Sequence, residues 1–340
     1  MTHHAPITPA ASSDTAILDN LLLRLAPYYL ADHVEELVIN QPGELWIKKR
    51  YSKDEKSSNA KVWSPIKDPA LTWKYLSTLC TVIANTYSSE FGPTTEPTLY
   101  ATLPGGHRFT AIMGPNVVYN MQSPKGGIAM AIRQAPKQDT GLTFSDWGLE
   151  KGKPLPDSFH SKDDDAHIED KMELLIHRLR SNHDILISGA TSTGKTRFLD
   201  CLLDELSIDE RIITLEDTRE LYVKQLNHIH LLLQRTNQNN NFTYPKAIDL
   251  IKRMTPDRII PGEISSQNAV AMMDLVGSGH GSVLCTVHAD KPEEARQEVI
   301  ACMKKTDPHL DEAAAMKRLE RFTVVQIERQ GSERVITALE

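Results

Sequence analysis

A run of eight residues in the second half of the chain has the composition and spacing of a phosphate-binding loop. It fits the pattern G-x-x-x-x-G-K-[ST] from Gly189 to Thr196. Glycines let backbone N–H groups approach phosphate oxygens, the lysine reaches the terminal phosphates of a nucleoside triphosphate, and the threonine hydroxyl can ligate Mg²⁺. The sequence therefore predicts a site for ATP and Mg²⁺ formed by Gly189, Ala190, Thr191, Ser192, Thr193, Gly194, Lys195, Thr196 and Arg197.

Three carboxylates follow an apolar run at 212–215. Glu216, Asp217 and Glu220 could hold Mg²⁺ directly or through water, or one of them could orient the attacking nucleophile. The alternative is a solvated acidic start of a helix, where carboxylates are favoured by the helix dipole. The sequence leaves both interpretations open.

A fourth carboxylate, Glu263, follows the apolar run that begins at Arg258. We expect it at the end of a buried strand, next to the strand that leads into the phosphate loop, where a carboxylate can orient the attacking water. Because Pro261 has no N–H for a central sheet, the strand is predicted to end at Ile260. The alternative is an exposed loop glutamate without a catalytic role.

Two histidines, His280 and His288, flank another apolar run. A zinc site is not expected, since no matching set of ligands accompanies them. A histidine at the carboxyl edge of the sheet could instead form a hydrogen bond with the γ-phosphate.

The elements around these residues predict an α/β domain over 166–340. Short apolar runs, typical of buried parallel strands, alternate with amphipathic segments. A helix is expected from His167 with Asp165 as its cap, and the last two apolar runs predict a closing hairpin.

The remainder predicts a disordered tail at 1–14, an α+β domain at 15–135 and a linker at 136–165. In the α+β domain we expect a helix from Asp14 to Pro27, a strand pair joined by a turn at 40–43, a helix from Leu71 to Tyr87, and a small sheet. The linker contains three prolines, several glycines and an acidic run.

The composition excludes several classes of protein. Of 340 residues, 40% are hydrophobic and 24% charged, which is typical of a globular chain rather than a fibrous or disordered one. No apolar run approaches the roughly 18–20 residues that cross a bilayer, and no signal peptide is evident. A net charge of −7 gives no electrostatic reason to expect nucleic-acid binding.

Taken together, the motifs occur in an order that resembles the hexameric secretion ATPase superfamily. That superfamily includes type II secretion and pilus-retraction motors and the traffic ATPase of type IV secretion. His280 and His288 are eight positions apart, which resembles the type IV branch, whereas pilus-retraction motors use seven. The ordered motifs are the phosphate loop, 214–217, 256–263, 279–280 and 286–289.

The resemblance extends to the first domain and covers roughly residues 30–340. Arg108 and Arg133 lie in segments that match the family's two arginine-bearing segments. The resemblance implies a RecA-like P-loop ATPase domain with a smaller α+β N-terminal domain. It also implies that ATP is bound between the two domains of each subunit, with Arg108, Arg133 and His280 near the phosphates.

As a function, the resemblance implies a Mg²⁺-dependent homohexameric ATPase that powers or switches substrate transfer or pilus assembly in a conjugation-type secretion system. Hydrolysis would release the N-terminal domain to swing on its linker. Expected partners are other type IV secretion ATPases and inner-membrane components, at the cytoplasmic face of the bacterial inner membrane, without sequence-specific contact to nucleic acid. The catalytic residues would be Glu263, Lys195, Glu216 and His288, and the metal residues Thr196, Glu216 and Asp217.

The chain also departs from the family pattern. Thr255 replaces an arginine, Ser265 and Ser266 replace Arg-Gly, and Ser282 replaces a glycine. These departures keep open a nucleotide-gated assembly adaptor with negligible turnover. A pilus or type II secretion motor and a DNA-translocating motor also stay open as functions.

Overall fold

The computed structural model describes residues 13–50, 62–119, 126–135, 165, 168–233, 241–276, 278–279, 281–330 and 333–340. The predicted tail at 1–14 lies outside them except for its last two residues. The predicted linker at 136–165 lies outside them except for Asp165, and His280 is also not described.

The first half of the chain forms a six-stranded antiparallel sheet, which agrees with the strand pair and the small sheet predicted there. In chain order, its strands are β1 (Val34–Ile39), β2 (Glu44–Lys49), β3 (Trp63–Lys67), β4 (Thr98–Leu103), β5 (His107–Gly114) and β7 (Gly127–Arg133). Their spatial order is β3-β2-β1-β7-β5-β4. One further short strand, β6 (Val117–Val118), follows β5 in the chain but belongs to the second sheet, described next.

The second half forms an eight-stranded sheet with a parallel centre, as the short apolar runs predict. Besides β6, its strands are β8 (Ile185–Ser188), β9 (Ile212–Glu216), β10 (His228–Leu232), β11 (Arg258–Pro261), β12 (Ser282–Val287), β13 (Thr323–Gln330) and β14 (Glu333–Leu339). The spatial order is β14-β13-β8-β12-β11-β9-β10-β6. The predicted closing hairpin is confirmed, since β13 and β14 pair in antiparallel register.

The position of β11 differs from the prediction. It does not lie beside β8, because β12 pairs with both strands and separates them. Pro261 also belongs to β11 and is aligned with Leu215 of β9, so the strand continues one residue beyond the predicted end. Strand order depends on crossover connections, which the local pattern of apolar residues does not encode.

Helices cover the sheets, and two of them differ from the predicted bounds: α1 ends at Leu22, and α4 begins at Lys171. Pro27 lies in the first turn of a second helix instead of ending the first, a position that suits its fixed φ. Asp170 caps the helix expected from His167, accepting from the Glu173 N–H at 2.8 Å, while Asp165 pairs with Arg178. The bounds are α1 (Ser13–Leu22), α2 (Ala26–Tyr29), α3 (Trp73–Thr86), α4 (Lys171–Arg180), α5 (Lys195–Asp204), α6 (Tyr244–Arg253), α7 (Ala269–Met273), α8 (Pro292–Lys304) and α9 (Glu312–Leu319). None of the helices in the described ranges is long and apolar enough to span a membrane.

One hydrophobic core joins the two sheets. Val38, Trp46 and Trp63 of the first sheet pack in the same cluster as Ile213 and Leu231 of the second. Strand β6 reinforces this contact by pairing with β10. The mixed α/β architecture, with a RecA-like sheet and a smaller α+β part, is the predicted fold class.

Candidate nucleotide site

The phosphate loop lies between β8 and α5, as its sequence predicts. A β-carbon built on Gly189 would lie 2.4 Å from the carbonyl oxygen of Ile327, so only glycine fits there. Gly194 has a φ of +95°, a left-handed conformation that favours glycine, and it precedes the first residue of α5. The backbone therefore follows the tight path that brings N–H groups toward a bound phosphate.

Lys195 points back into the loop and is buried. Its Nζ donates to the carbonyl oxygens of Gly189 and Ala190 at 2.8 and 3.0 Å, and lies 3.0 Å from Nδ1 of His288. Burial lowers the pKa of Lys195, and the carboxylate of Glu263 opposes this shift. An ammonium held in this desolvated position interacts strongly with phosphate charge.

Glu263 and His288 lie beside Lys195, so three of the four predicted catalytic side chains form one chain of contacts. Nε2 of His288 is 3.3 Å from Oε1 of Glu263. Because Nδ1 accepts from the Lys195 ammonium, Nε2 carries the proton and faces the Glu263 carboxylate. Both side chains are 44% exposed, so the Glu263 carboxylate is accessible to solvent water.

Glu216, the fourth predicted catalytic residue, is buried and its oxygens are already used. Oε2 accepts from the backbone N–H groups of Glu220 and Leu221 at 2.8 and 3.0 Å. Oε1 accepts from the Thr214 hydroxyl at 2.8 Å and lies 3.3 Å from Nδ1 of His230. Burial opposes ionisation, but these hydrogen bonds prevail and lower the pKa of Glu216. This arrangement makes Glu216 an anchor for the 217–221 loop and leaves it poorly placed to bind a metal ion.

The acidic side chain that does approach the phosphate loop is Glu220. Its Oε2 lies 3.5 Å from Oγ1 of Thr196, the residue expected to ligate Mg²⁺, and the side chain is exposed. Asp217 is partly buried and accepts from the Thr218 N–H. No cluster of three or more His, Cys, Asp or Glu side chains suited to a metal ion occurs in the described part of the chain. Such a sparse donor set still fits Mg²⁺, which takes one or two protein oxygens together with phosphate and water.

His230 is a site residue that the sequence analysis missed. It is fully buried on β10, and its Nδ1 lies 2.8 Å from Oγ1 of Thr214. Since that hydroxyl donates to Glu216, Nδ1 of His230 must carry the proton. Nε2 then accepts from Arg219 at 3.4 Å. The information that the sequence lacks is the pairing of His230 with Thr214 across the two parallel strands, because strand register cannot be read from one segment.

Arg108 and Arg133 are not brought to the phosphate loop of their own chain. They face each other across β5 and β7, and Arg133 also lies opposite Glu36 of β1. The Glu36 carboxylate accepts from the hydroxyl of Thr255, which precedes β11 and lies at the amino edge of the parallel strands. The phosphate loop is at the carboxyl edge. No hydrogen bond or ion pair joins either arginine to the loop within the described ranges, and their contact with a bound nucleotide stays a prediction.

Two departures from the family pattern have structural explanations. The Ser282 hydroxyl accepts from Nη1 of the buried Arg258 at 2.6 Å, and Arg258 also pairs with Glu210. Thr255 donates the hydrogen bond to Glu36 that joins the two sheets. Both positions lie at the amino edge of the sheet, away from the phosphate loop, so they do not argue against catalysis.

The fold and the phosphate loop together define a two-domain P-loop ATPase with a RecA-like sheet. Comparison with known proteins agrees with this class. Residues 161–305 match the family model described as Type II/IV secretion system protein. The chain also matches the VirB11 ATPase structure from the Brucella suis type IV secretion system, solved with sulphate, with a TM-score of 0.80 and 23% identity over 96% of this chain and 95% of that one.

Similar curated proteins extend the match over nearly the whole chain. The type IV secretion system protein VirB11 of Bartonella henselae is 28% identical over 310 residues, which cover 86% of this chain and 82% of that protein. The protein PtlH of Bordetella pertussis is 26% identical over 343 residues, covering 95% and 94%. These matches confirm the resemblance to type IV secretion traffic ATPases and support an ATPase as the enzyme class.

Proposed function

We propose that this protein is a Mg²⁺-dependent ATP hydrolase that powers or switches transfer through a type IV secretion machine. The observation that carries the proposal is the contact chain from Lys195 through His288 to Glu263 beside an intact phosphate loop. It joins the cation suited to the terminal phosphates with a solvent-accessible carboxylate suited to orienting water.

Each residue has a separate task in this proposal. Lys195 would move from the loop carbonyls to the phosphate oxygens of ATP, and Glu263 would hold the attacking water. His288, between them, would keep the carboxylate oriented and would lose its contact with Lys195 when the lysine moves. Bound Mg²⁺, held by Thr196 and by Glu220 through water, would neutralise negative charge on the phosphates.

The protein is further proposed to work as a homohexamer at the cytoplasmic face of the inner membrane, with other secretion ATPases and inner-membrane components as partners. The position of Arg108 and Arg133 supports assembly. Both lie toward the amino edge of the parallel strands, whereas the phosphate loop of their own chain lies at the carboxyl edge. Contact with a bound nucleotide would then have to come from the arginine pair of another copy. Guanidinium groups suit this task, since they bind phosphate in a fork.

The test is steady-state phosphate release at protein concentrations where particle size shows assembly. Lys195→Ala should abolish turnover. Glu263→Gln should still bind ATP but lower kcat by about 10²- to 10⁴-fold, the usual contribution of a general base. The matched controls are Lys317→Ala and Glu320→Gln, because both side chains are exposed and lie outside the site.

The outcomes separate the candidate functions. Saturable ATP binding without phosphate release from the wild-type protein would favour a nucleotide-gated assembly adaptor. Unchanged hydrolysis in Glu263→Gln would remove that residue as the base. Turnover that rises with DNA and falls with salt would favour a DNA-translocating motor.

A further inference from the structure

Arg334 of β14 packs directly against the phosphate loop. A β-carbon built on Gly194 would lie 2.8 Å from Cδ and 3.0 Å from Nε of Arg334. Gly194 is the residue immediately before Lys195, at the start of α5. The guanidinium is therefore beside the part of the loop where phosphate oxygens are expected to bind.

The hairpin that carries Arg334 is fixed to the site at its base. Gln326 of β13 is fully buried and accepts from the Ser188 hydroxyl at 2.6 Å. Its side-chain amide donates to the carbonyl oxygen of Asp290, just after His288, at 3.1 Å. Beyond Gln326, the last residue aligned with β8, β13 continues to Gln330 alongside the loop. The position of Arg334 is thus set by contacts with both β8 and the His288 segment.

The charges around this position favour an anion. The start of α5 carries the partial positive charge of a helix amino terminus, and Lys195 adds a full charge there. Arg197, two residues further along α5, has Asp200 as its partner at 3.3 Å. Among the described residues, no carboxylate forms an ion pair with Arg334. A bound polyphosphate would supply the missing negative charge.

We propose that Arg334 is a ligand for the polyphosphate group of the nucleotide, provided in cis by the closing hairpin. The inference rests on the proposed function, because it assigns a further contact to the same nucleotide. The group recognised is a nucleoside di- or triphosphate. Adenosine and AMP, which lack the β-phosphate, should depend little on Arg334.

The test compares nucleotide affinity in Arg334→Gln, Arg334→Lys and the wild-type protein. Kd would be measured for ADP with Mg²⁺ and for AMP, by calorimetry on the full chain. The matched control is Arg318→Gln, since Arg318 is an exposed arginine of α9. Arg334→Gln should raise the Kd for ADP about tenfold, a typical effect of removing a charged hydrogen bond. Arg334→Lys should be intermediate, and the control should match the wild type.

Two further measurements distinguish binding from a structural role. The difference between wild type and Arg334→Gln should shrink as salt rises from about 0.05 to about 0.5 M, because the contact is ionic and partly exposed. Without nucleotide, Arg334→Gln should melt at the same temperature as the wild type, since the side chain is exposed and forms no ion pair among the described residues. A lower melting temperature with unchanged Kd would overturn the inference.

Failure of the inference can be told apart from failure of the proposed function. If Lys195→Ala loses ADP binding while Arg334→Gln keeps the wild-type Kd, the phosphate loop stands and the role of Arg334 falls. If the wild-type protein itself does not bind ADP, both proposals fail.

Discussion

Replacing Glu216 by glutamine separates an anchoring role from metal binding. The side chain is 4% exposed and accepts from two backbone N–H groups, a hydroxyl and a histidine. A glutamine offers one carbonyl oxygen and an NH₂ group, so its NH₂ must face two of these donors. The hydroxyl of Thr214 and the ring of His230 can adjust more easily than the backbone, and the NH₂ should therefore turn toward them.

The expected cost follows from those lost contacts. A hydrogen bond to a charged acceptor contributes about 1.5–3 kcal/mol, and two are weakened or lost. With partial readjustment of Thr214 and His230, Glu216→Gln should lower the free energy of unfolding by about 3 kcal/mol. The hydrogen bonds lower the pKa of Glu216, so this contribution is present above the ordinary carboxyl range and is lost as pH falls through the lowered pKa.

The assay is urea unfolding without nucleotide, with Glu220→Gln as the matched control. Glu220 is exposed, so the same chemical change there should shift stability by less than about 0.5 kcal/mol. Glu220→Gln should instead weaken Mg²⁺-dependent nucleotide binding, because Glu220 faces Thr196. An unfolding midpoint in Glu216→Gln no lower than in Glu220→Gln would refute the anchoring argument.

Two other predictions concern side chains away from the loop. Burial lowers the pKa of His228 to about 4, so its neutral form favours the folded state. This contribution, up to about 3 kcal/mol, is complete above pH about 6.5 and is lost as pH falls toward 4. His228→Gln should therefore make the melting temperature depend less on pH over that range. The same slope of melting temperature against pH in the variant and the wild type would contradict this prediction. Ser282→Ala should destabilise the fold by about 2 kcal/mol, because it removes the acceptor of a buried Arg258 donor. Ser282→Thr should restore stability in the same urea assay, and the Kd for ADP should not change.

Local sequence patterns predicted much of the fold. Short apolar runs locate β8, β9, β11 and β12, which are strands of four to six residues, because buried parallel strands have few polar positions. The glycine, lysine and threonine of the phosphate loop located its strand and helix, because that chemistry permits few backbone paths. Each of these signals lies within a short segment.

Features set by distant residues could not be read in this way. Glu263 was placed on a strand beside β8, but β12 lies between them. Glu216 is predicted as a catalytic residue and as a metal residue, yet His230 and the backbone at 220–221 use its oxygens. The approach of Arg334 to Gly194 joins residues 140 positions apart in the sequence. Such contacts depend on sheet order and register, which one segment does not encode.

The contact between the two sheets limits how nucleotide turnover could be transmitted. Arg211 is fully buried, and its Nη1 donates to Asn40 of the first domain at 2.8 Å and to Asn227 at 2.6 Å. Its guanidinium also lies 5.5 Å from the ring of Trp63. Swinging the whole first sheet away would leave the Arg211 charge without these partners and expose the shared core, at a cost of several kcal/mol. We therefore expect the two sheets of one chain to move together, with motion occurring between copies.

A disulfide between β6 and β10 tests this expectation. Val117 and Leu231 are register partners in the antiparallel pair, where Cα atoms are about 4.5–5.5 Å apart, within the range that a disulfide bridges. The variant would carry Val117→Cys and Leu231→Cys, with the exposed Cys201 changed to serine. The oxidised protein should keep ATP turnover within about twofold of its reduced form, because the locked strands stay paired throughout the cycle. Loss of turnover on oxidation that reduction restores would mean that the first sheet must separate from the second.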